Sequence, residues 1–137
     1  DIVIASRFVS TGKQIGVPPI RRVYSLGARM LLSIFFPLKG VRDYTVGFRA
    51  YRTSLVNQAL SQTEEGFLTF RSFATSVEIL LKFITLADKV VEVPLVLRYD
   101  QKISPSKLRT LNTIQDYFRL FMLPKQKCKL GRGLKIN

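Results

Sequence analysis

Short apolar runs that suit strands alternate along this chain with longer segments of helical periodicity, and this alternation constrains the fold more than any other feature. The first run, residues 2–5, is apolar and β-branched, as in a buried strand of a parallel or mixed sheet. A helix is predicted over 21–36, where Pro37 ends it. The order of these segments predicts an α/β fold with a small mixed sheet flanked by helices.

The rest of the chain continues the alternation. Gly47 lies inside a predicted strand and indicates a close approach of the backbone to another group, while Pro94 favours a strand at a sheet edge. About three strands make a thin sheet, so we expect the chain to be a piece of a longer protein. The remaining predicted segments are a mobile loop at 8–18, strands at 44–51 and 90–97, and helices at 54–62, 76–89 and 108–123.

Charge and composition narrow the possible functions of this 137-residue chain. It has no histidine, which excludes Ser-His-Asp and Cys-His catalysis, and its single Cys128 excludes an internal disulfide and Cys-rich zinc sites. Lys and Arg number 22 against 9 acidic residues, for a net charge of +13. No apolar run reaches the roughly 18–20 residues that cross a bilayer. We therefore expect the chain to bind polyanions, which are phosphorylated ligands, an anionic membrane or nucleic acid.

Basic and hydroxyl side chains come together where the first strand ends and the first long helix begins. Ser6 and Arg7 follow the strand. Arg21, Arg22 and Ser25 open the helix, and Arg21 and Ser25 share one helical face. Since a helix N-terminus also favours anions, this group predicts a phosphate site. The alternative is a set of solvated arginines beside a serine.

Two further segments contain candidate polar groups. Asp43 lies where a loop enters the strand 44–51, so its carboxylate can point into a cleft; the alternative is an ion pair with Arg42 or Arg49. The strand 90–97 leads into a loop that either closes over a phosphate or is a plain polar connection. Its candidate residues are Arg98, Lys102, Ser106 and Lys107.

The last predicted helix is amphipathic and is followed, after Pro124, by a basic tail without acidic residues. This combination predicts an interfacial membrane anchor. The alternative is a helix packed on the core with a frayed tail. The side chains on its apolar side are Leu111, Ile114, Phe118, Phe121 and Met122.

Four segments, in this order, resemble motifs of one enzyme family. Residues 1–7 resemble a D-V-V-x-G-S-R strand end, and Arg21 with Ser25 resembles an R-x-x-x-S helix opening. Residues 42–51 resemble R-D-x-T-S-G-F-R-x-Y, and 92–108 resemble E-V-P-x-x-x-R-x-x-x-x-G-x-S-K-L. The ordered set is similar to the second half of the catalytic domain of family 2 glycosyltransferases. It is closest to the subgroup of dolichol-phosphate mannosyltransferase and bacterial polyprenyl-phosphate sugar transferases.

The resemblance implies a hexosyltransferase of the GT-A (Rossmann-like) fold that moves a sugar from a nucleotide-sugar to a polyprenyl (dolichyl or undecaprenyl) phosphate. Residues 1–110 would be the acceptor-side half of the catalytic domain, and 111–137 an amphipathic helix with a basic tail. The nucleotide-binding half would precede this chain and would hold Mg²⁺ or Mn²⁺ through an Asp-x-Asp motif. The isolated chain is therefore expected to be inactive.

The resemblance also implies roles for single residues. Arg7, Arg21 and Ser25 would bind the acceptor phosphate, and Asp43 would be a base near the attacking oxygen. Glu78, in the helix behind the site, and Arg49 would be supporting residues. The loop that closes on donor and acceptor would use Arg98, Lys102, Ser106 and Lys107.

Two positions depart from the family's pattern. Val46 stands in place of the usual serine of T-S-G-F-R, which removes any hydroxyl role there. Ser104-Pro105 stands where the loop usually has glycine, so a stiffer loop closure is expected.

Two other functions stay open. A basic nucleic-acid-binding module is one, although the aromatic residues lie mostly in apolar runs and no RNA- or DNA-binding motif is present in the sequence. A non-catalytic membrane-surface module is the other. The favoured interpretation places the protein peripherally at the cytoplasmic face of a membrane, with the anionic surface as a partner and no nucleic acid.

Overall fold

The structure is a computed structural model of the chain, and it describes residues 1–62, 68–70, 72–101 and 110–122. This part of the chain is a mixed α/β fold with five strands and four helices. The strands are β1 (Ile2–Ser6), β2 (Lys13–Ile15), β3 (Arg49–Tyr51), β4 (Val90–Pro94) and β5 (Val96–Arg98). The helices are α1 (Pro19–Phe35), α2 (Thr53–Ser61), α3 (Ala74–Ile84) and α4 (Thr110–Met122).

A three-stranded sheet in the order β3-β1-β4 organises the fold. β1 pairs antiparallel with β3 and parallel with β4, so the predicted small mixed sheet is confirmed. Ile2 and Ile4 of β1 are completely buried in the core. Val3, which points to the opposite face, is 40% exposed. The sheet therefore has one covered and one open face within the described residues.

The helix α3 supplies the centre of the core. Val77, Leu80, Leu81 and Ile84 recur at helical spacing, and all four are buried, as the periodicity predicts. The prediction of a helix over 76–89 is wrong at its end, because the helix stops at Ile84.

The prediction of a mobile loop at 8–18 is wrong for residues 13–15, which form β2 and pair in parallel with β5. Two glycines permit this path. A Cβ on Gly12 would lie 2.7 Å from the carbonyl oxygen of Ser6, and Gly16 has a φ of +71°. A three-residue strand has too little apolar alternation to be recognised, so only its pairing reveals it.

The prediction of a strand over 44–51 is correct only for residues 49–51. The amides of Thr45 and Val46 donate to the carboxylate of Asp43, and this local turn competes with strand pairing. The close backbone approach predicted at Gly47 is also wrong, because a Cβ there would meet nothing within 4 Å.

The helix α1 is buried at Leu32 alone. Its outward side is an apolar stripe spaced at three and four residues, which we call the α1 stripe. These exposed residues are Ile20, Val23, Tyr24, Leu26, Met30, Leu31, Ile34 and Phe35. Among the described residues, no helix has the length and apolar character needed to cross a membrane.

The helix α4 packs through a different side from the one that the sequence predicts. Its buried residues are Thr113 and Leu120, whereas Phe118 is 61% and Met122 85% exposed. Phe121 stacks on Phe35 of α1 with ring centroids 4.4 Å apart. The exposed end of α4 therefore adjoins the α1 stripe. Of the predicted apolar side, the Leu111 side chain lies outside the described part, as does the basic tail after residue 122.

Candidate functional site

A bidentate ion pair joins the end of β1 to the loop before β3. The Nε and Nη2 atoms of Arg7 donate to the two carboxylate oxygens of Asp43, each at 2.7 Å. The Arg7 amide donates to the same carboxylate at 3.1 Å. The ion pair that the sequence left open for Asp43 therefore exists, but its partner is Arg7 and not Arg42 or Arg49. Ser6 is buried beside it, and its hydroxyl accepts the Phe8 amide.

The Asp43 carboxylate is completely buried and strongly held. Burial alone would raise the pKa of Asp43, but hydrogen bonds and the positive charge of Arg7, with the Val46 amide, outweigh it and lower the pKa below 3.8. Thr45 accepts a further bond from Arg7 Nη2 at 2.8 Å. The group is thus an ionised carboxylate that fixes the orientation of one guanidinium.

Glu92 of β4 holds the loop that contains Asp43. One carboxylate oxygen of Glu92 accepts the amides of Arg42 and Asp43, at 2.7 and 2.8 Å. The other oxygen, Oε2, is buried and has no hydrogen-bond partner in the described part of the chain. The glutamate of the E-V-P segment is therefore the group that places Asp43 next to the end of β1.

Arg49, the first residue of β3, forms hydrogen bonds to the backbone of two other parts of the fold. Its guanidinium donates to the carbonyl oxygen of Tyr44 at 2.6 Å and to that of Ser76 in α3. It thereby ties β3 to the loop and to the helix. The supporting role that the resemblance implies for Arg49 stays a prediction.

The inward face of α1 carries Arg21, Ser25 and Arg29, spaced four positions apart and all partly buried. Arg21 lies over the ring of Tyr99, with its guanidinium carbon 5.6 Å from the ring centroid. Arg29 lies over Phe8 at 4.6 Å, and Arg7 contacts the same ring at 5.3 Å. Phe8 therefore links Arg7, which follows β1, to Arg29 of α1.

The helix α4 also reaches this region through Tyr117. Burial raises the pKa of Tyr117 to about 12; the nearby charges of Arg49 and Arg7 lower it and that of Asp43 raises it. The tyrosine is thus an electrostatic neighbour of the Arg7–Asp43 pair. The division of the chain at residue 110 stays a prediction.

Glu78 is buried in α3, and its hydrogen bonds are to residues nearby in the chain. It accepts the amides of Thr69 and Phe70 and the ammonium of Lys82, the last at 2.9 Å. Burial would raise its pKa, but these bonds, that of Lys82 first, lower the pKa below 4.5. Its contacts secure residues 68–70 against the helix.

The predicted closing loop is described only at its start. Arg98, at the end of β5, forms an exposed bidentate pair with Asp100 at 2.8–3.2 Å. Lys102, Ser106 and Lys107 lie outside the described residues.

The cation implied by the resemblance, Mg²⁺ or Mn²⁺, would be held by the half that precedes this chain and not by the residues described. They contain no cluster of three acidic, histidine or cysteine side chains. The carboxylates nearest the site are held by Arg7 or by backbone amides, so we assign no step to a metal.

Sequence reasoning missed Phe8, Arg29 and Tyr117. Arg29 could have been found, because it continues the four-residue spacing of Arg21 and Ser25. Nothing local to Phe8 or Tyr117 distinguishes either ring from an ordinary core aromatic.

Comparison with models of known protein families gives no match. No curated protein matches the chain significantly in sequence either.

Proposed function

We propose that this chain is the acceptor-side half of a family 2 glycosyltransferase of GT-A fold, which transfers a sugar from a nucleotide-sugar to a polyprenyl phosphate at a membrane surface. The observation that carries the proposal is the position of Arg21 and Arg29 in α1. They occupy its inward face, while the α1 stripe on the same helix is apolar and exposed. A lipid with a phosphate head and an isoprenoid tail matches both faces.

Charge supports the phosphate part of this proposal. Arg7 is neutralised by Asp43, whereas Arg21 and Arg29 form no ion pair with a carboxylate among the described residues. Partly buried guanidiniums without counterions favour an anion that can accept paired hydrogen bonds. Ser25, between the two arginines on the same face, adds a hydroxyl donor.

The proposed sugar transfer requires these residues to bind and orient the acceptor phosphate more than to remove a proton from it. An acceptor phosphate oxygen forms a bond to the anomeric carbon while the bond from that carbon to the nucleoside diphosphate breaks and its electron pair leaves with the diphosphate. A phosphate monoester is largely ionised at neutral pH, so the attacking oxygen needs little help from a base. With its lowered pKa, Asp43 is a weak base, and the ion pair favours a role in orienting Arg7. The proton-accepting role implied by the resemblance stays a prediction.

Membrane attachment would be peripheral and at the cytoplasmic face. The exposed side chains of α1 and the end of α4 offer an apolar surface for insertion, and the arginines Arg21 and Arg22 lie at one end of it. The basic tail, at about 1 kcal/mol per cation near anionic lipid, would add to this. Truncation after Leu123 is expected to weaken binding to anionic vesicles and to leave binding to neutral vesicles unchanged.

Vesicle binding of the full chain tests the proposal. Neutral phosphatidylcholine vesicles are doped with undecaprenyl phosphate, with undecaprenol or with phosphatidylglycerol. The chain is expected to bind the first most tightly, and Arg21→Ala to weaken that binding by about 30-fold or more. Arg52→Ala is the matched control, because Arg52 is exposed and pairs with Asp1 at the opposite end of β1.

Other results of the vesicle assay would support a different function. Equally tight binding to the undecaprenol vesicles would show that the chain does not recognise the phosphate. Equal binding to the phosphatidylglycerol vesicles would support a non-catalytic membrane-surface module. Salt-sensitive binding to a random oligonucleotide without vesicle binding would support the nucleic-acid alternative.

A further inference from the structure

One aromatic ring holds two guanidinium groups from distant parts of the chain. The centroid of Phe8 lies 5.3 Å from the guanidinium carbon of Arg7 and 4.6 Å from that of Arg29. Each contact is within the distance at which a cation is attracted to an aromatic face. The ring therefore fixes Arg29 of α1 beside the arginine that follows β1.

The two cations differ in what balances them. Arg7 has its Nε and Nη2 atoms committed to Asp43 and Thr45. Arg29 is partly buried and forms no ion pair with a carboxylate in the described part of the chain. Holding the guanidinium of Arg29 close to that of Arg7 costs electrostatic free energy, which an added anion recovers. Arg29 is thus placed to receive negative charge from a ligand.

We propose that Arg29, positioned by Phe8, makes the site selective for a phosphate monoester over a phosphodiester. This inference rests on the proposed function. With Arg7 neutralised, Arg21 balances one ligand charge and Arg29 balances the second. A monoester carries a charge of about −1.5 to −2 at neutral pH, with a second pKa near 6, whereas a phosphodiester carries a single charge. At a membrane made of phosphodiester lipids, such selection distinguishes a polyprenyl phosphate from the bulk headgroups.

Binding of two farnesyl probes to the full chain tests this inference. Farnesyl phosphate is the monoester, and its methyl ester is a diester with one charge fewer. The wild-type chain is expected to bind the monoester at least about tenfold more tightly. Arg29→Gln should abolish this preference and leave diester affinity within about twofold, whereas Arg21→Ala should weaken both. Arg52→Ala is again the control, and a preference that survives in Arg29→Gln overturns the inference.

The pH dependence and two gentler variants sharpen the result. Wild-type affinity for the monoester should rise between pH 5 and 7, following the second phosphate pKa near 6, and Arg29→Gln should flatten that rise. Arg29→Lys keeps the charge and should keep part of the preference even if Arg29→Gln folds poorly. Phe8→Leu keeps an apolar side chain without an aromatic face and should reduce the preference about threefold. An unchanged preference in Phe8→Leu overturns the positioning role of the ring.

The binding results distinguish a failure of the proposed function from a failure of the inference about Arg29. If the wild-type chain binds neither probe, the proposed function and this inference are both overturned. If it binds both probes through Arg21 while Arg29→Gln behaves as wild type, only the inference fails.

Discussion

Asp43 and Glu78 are chemically similar and serve different parts of the molecule. Both are buried, both accept two or more hydrogen bonds from backbone amides, and both have lowered pKa values. The bonds of Glu78 reach at most nine positions along the chain, and its cation, Lys82, lies on the same helix. Asp43 instead pairs with Arg7, 36 positions away. A buried ionised carboxylate is therefore no indication of a site by itself.

The surroundings of the paired cation make the difference. Lys82 belongs to α3 and helps to fasten a neighbouring segment. Arg7 shares the Phe8 ring with Arg29 and has Tyr117 as an electrostatic neighbour. Removing each carboxylate should therefore have different consequences, which can be measured separately.

The largest effect is expected from Asp43→Asn. The change leaves Arg7, whose side chain is 11% exposed, without its counterion and should lower the free energy of unfolding by about 3 kcal/mol. Urea denaturation measures this loss. Asp100→Asn is the control, because it removes an equally bidentate but exposed pair and should leave the melting temperature nearly unchanged. If Asp43→Asn is as stable as the control, the pair is not a structural bond.

Glu78→Gln should have a smaller and more local effect. The amide keeps one oxygen for Thr69 or Phe70 but loses the charge that holds Lys82, at a cost of about 1–2 kcal/mol. Hydrogen exchange should show faster exchange of the Thr69 and Phe70 amides, with phosphate-probe binding unchanged. A loss of probe binding in this variant would break the distinction between the two carboxylates.

The two carboxylates should lose their contributions to stability at different acid pH values. A carboxyl with a lowered folded pKa stabilises the fold above its unfolded pKa, and that contribution disappears as pH falls through the folded value. The contribution of Glu78 should begin to decline near pH 4.5 and that of Asp43 near 3.8. Between pH 6 and pH 2, the free energy of unfolding should therefore fall less steeply in each variant than in the wild-type protein. This difference in slope should appear at a lower pH for Asp43→Asn than for Glu78→Gln. Parallel curves would contradict this.

The smallest effect is expected from Tyr117→Phe. The change keeps the ring packed against the core and removes only a hydroxyl near the Arg7–Asp43 pair, so stability should change by about 1 kcal/mol or less. Affinity for farnesyl phosphate is the informative measurement. A change there without a change in melting temperature would extend the Asp43 region onto α4, and no change would confine it to residues before α4.

The sequence predicts repetitive features well and long-range pairings poorly. Periodicity located α1 and the buried positions of α3, because a helix repeats its signal over several turns. It could not locate β2, whose stability comes from pairing with β5, more than 80 positions away in the chain.

The same limit applies to the site. Arg7, Arg21 and Asp43 were all recognised as candidates, but the partner of Asp43 was not. The pairing depends on Glu92 holding the loop from a different strand. A linear pattern contains no information on which of several nearby arginines the fold brings into contact.

The central position of β1 bears on the order in which this molecule assembles. β1 pairs with β4, and the paired residues Ile2 and Val90 are 88 positions apart in the chain. During synthesis, residues 2–6 must wait for residues 90–94 before the parallel pairing can form. Closure of so long a loop is slow, so Arg7 reaches its final place late in folding. Until then β1 has an unpaired edge, and such an edge exposes a folding intermediate to aggregation.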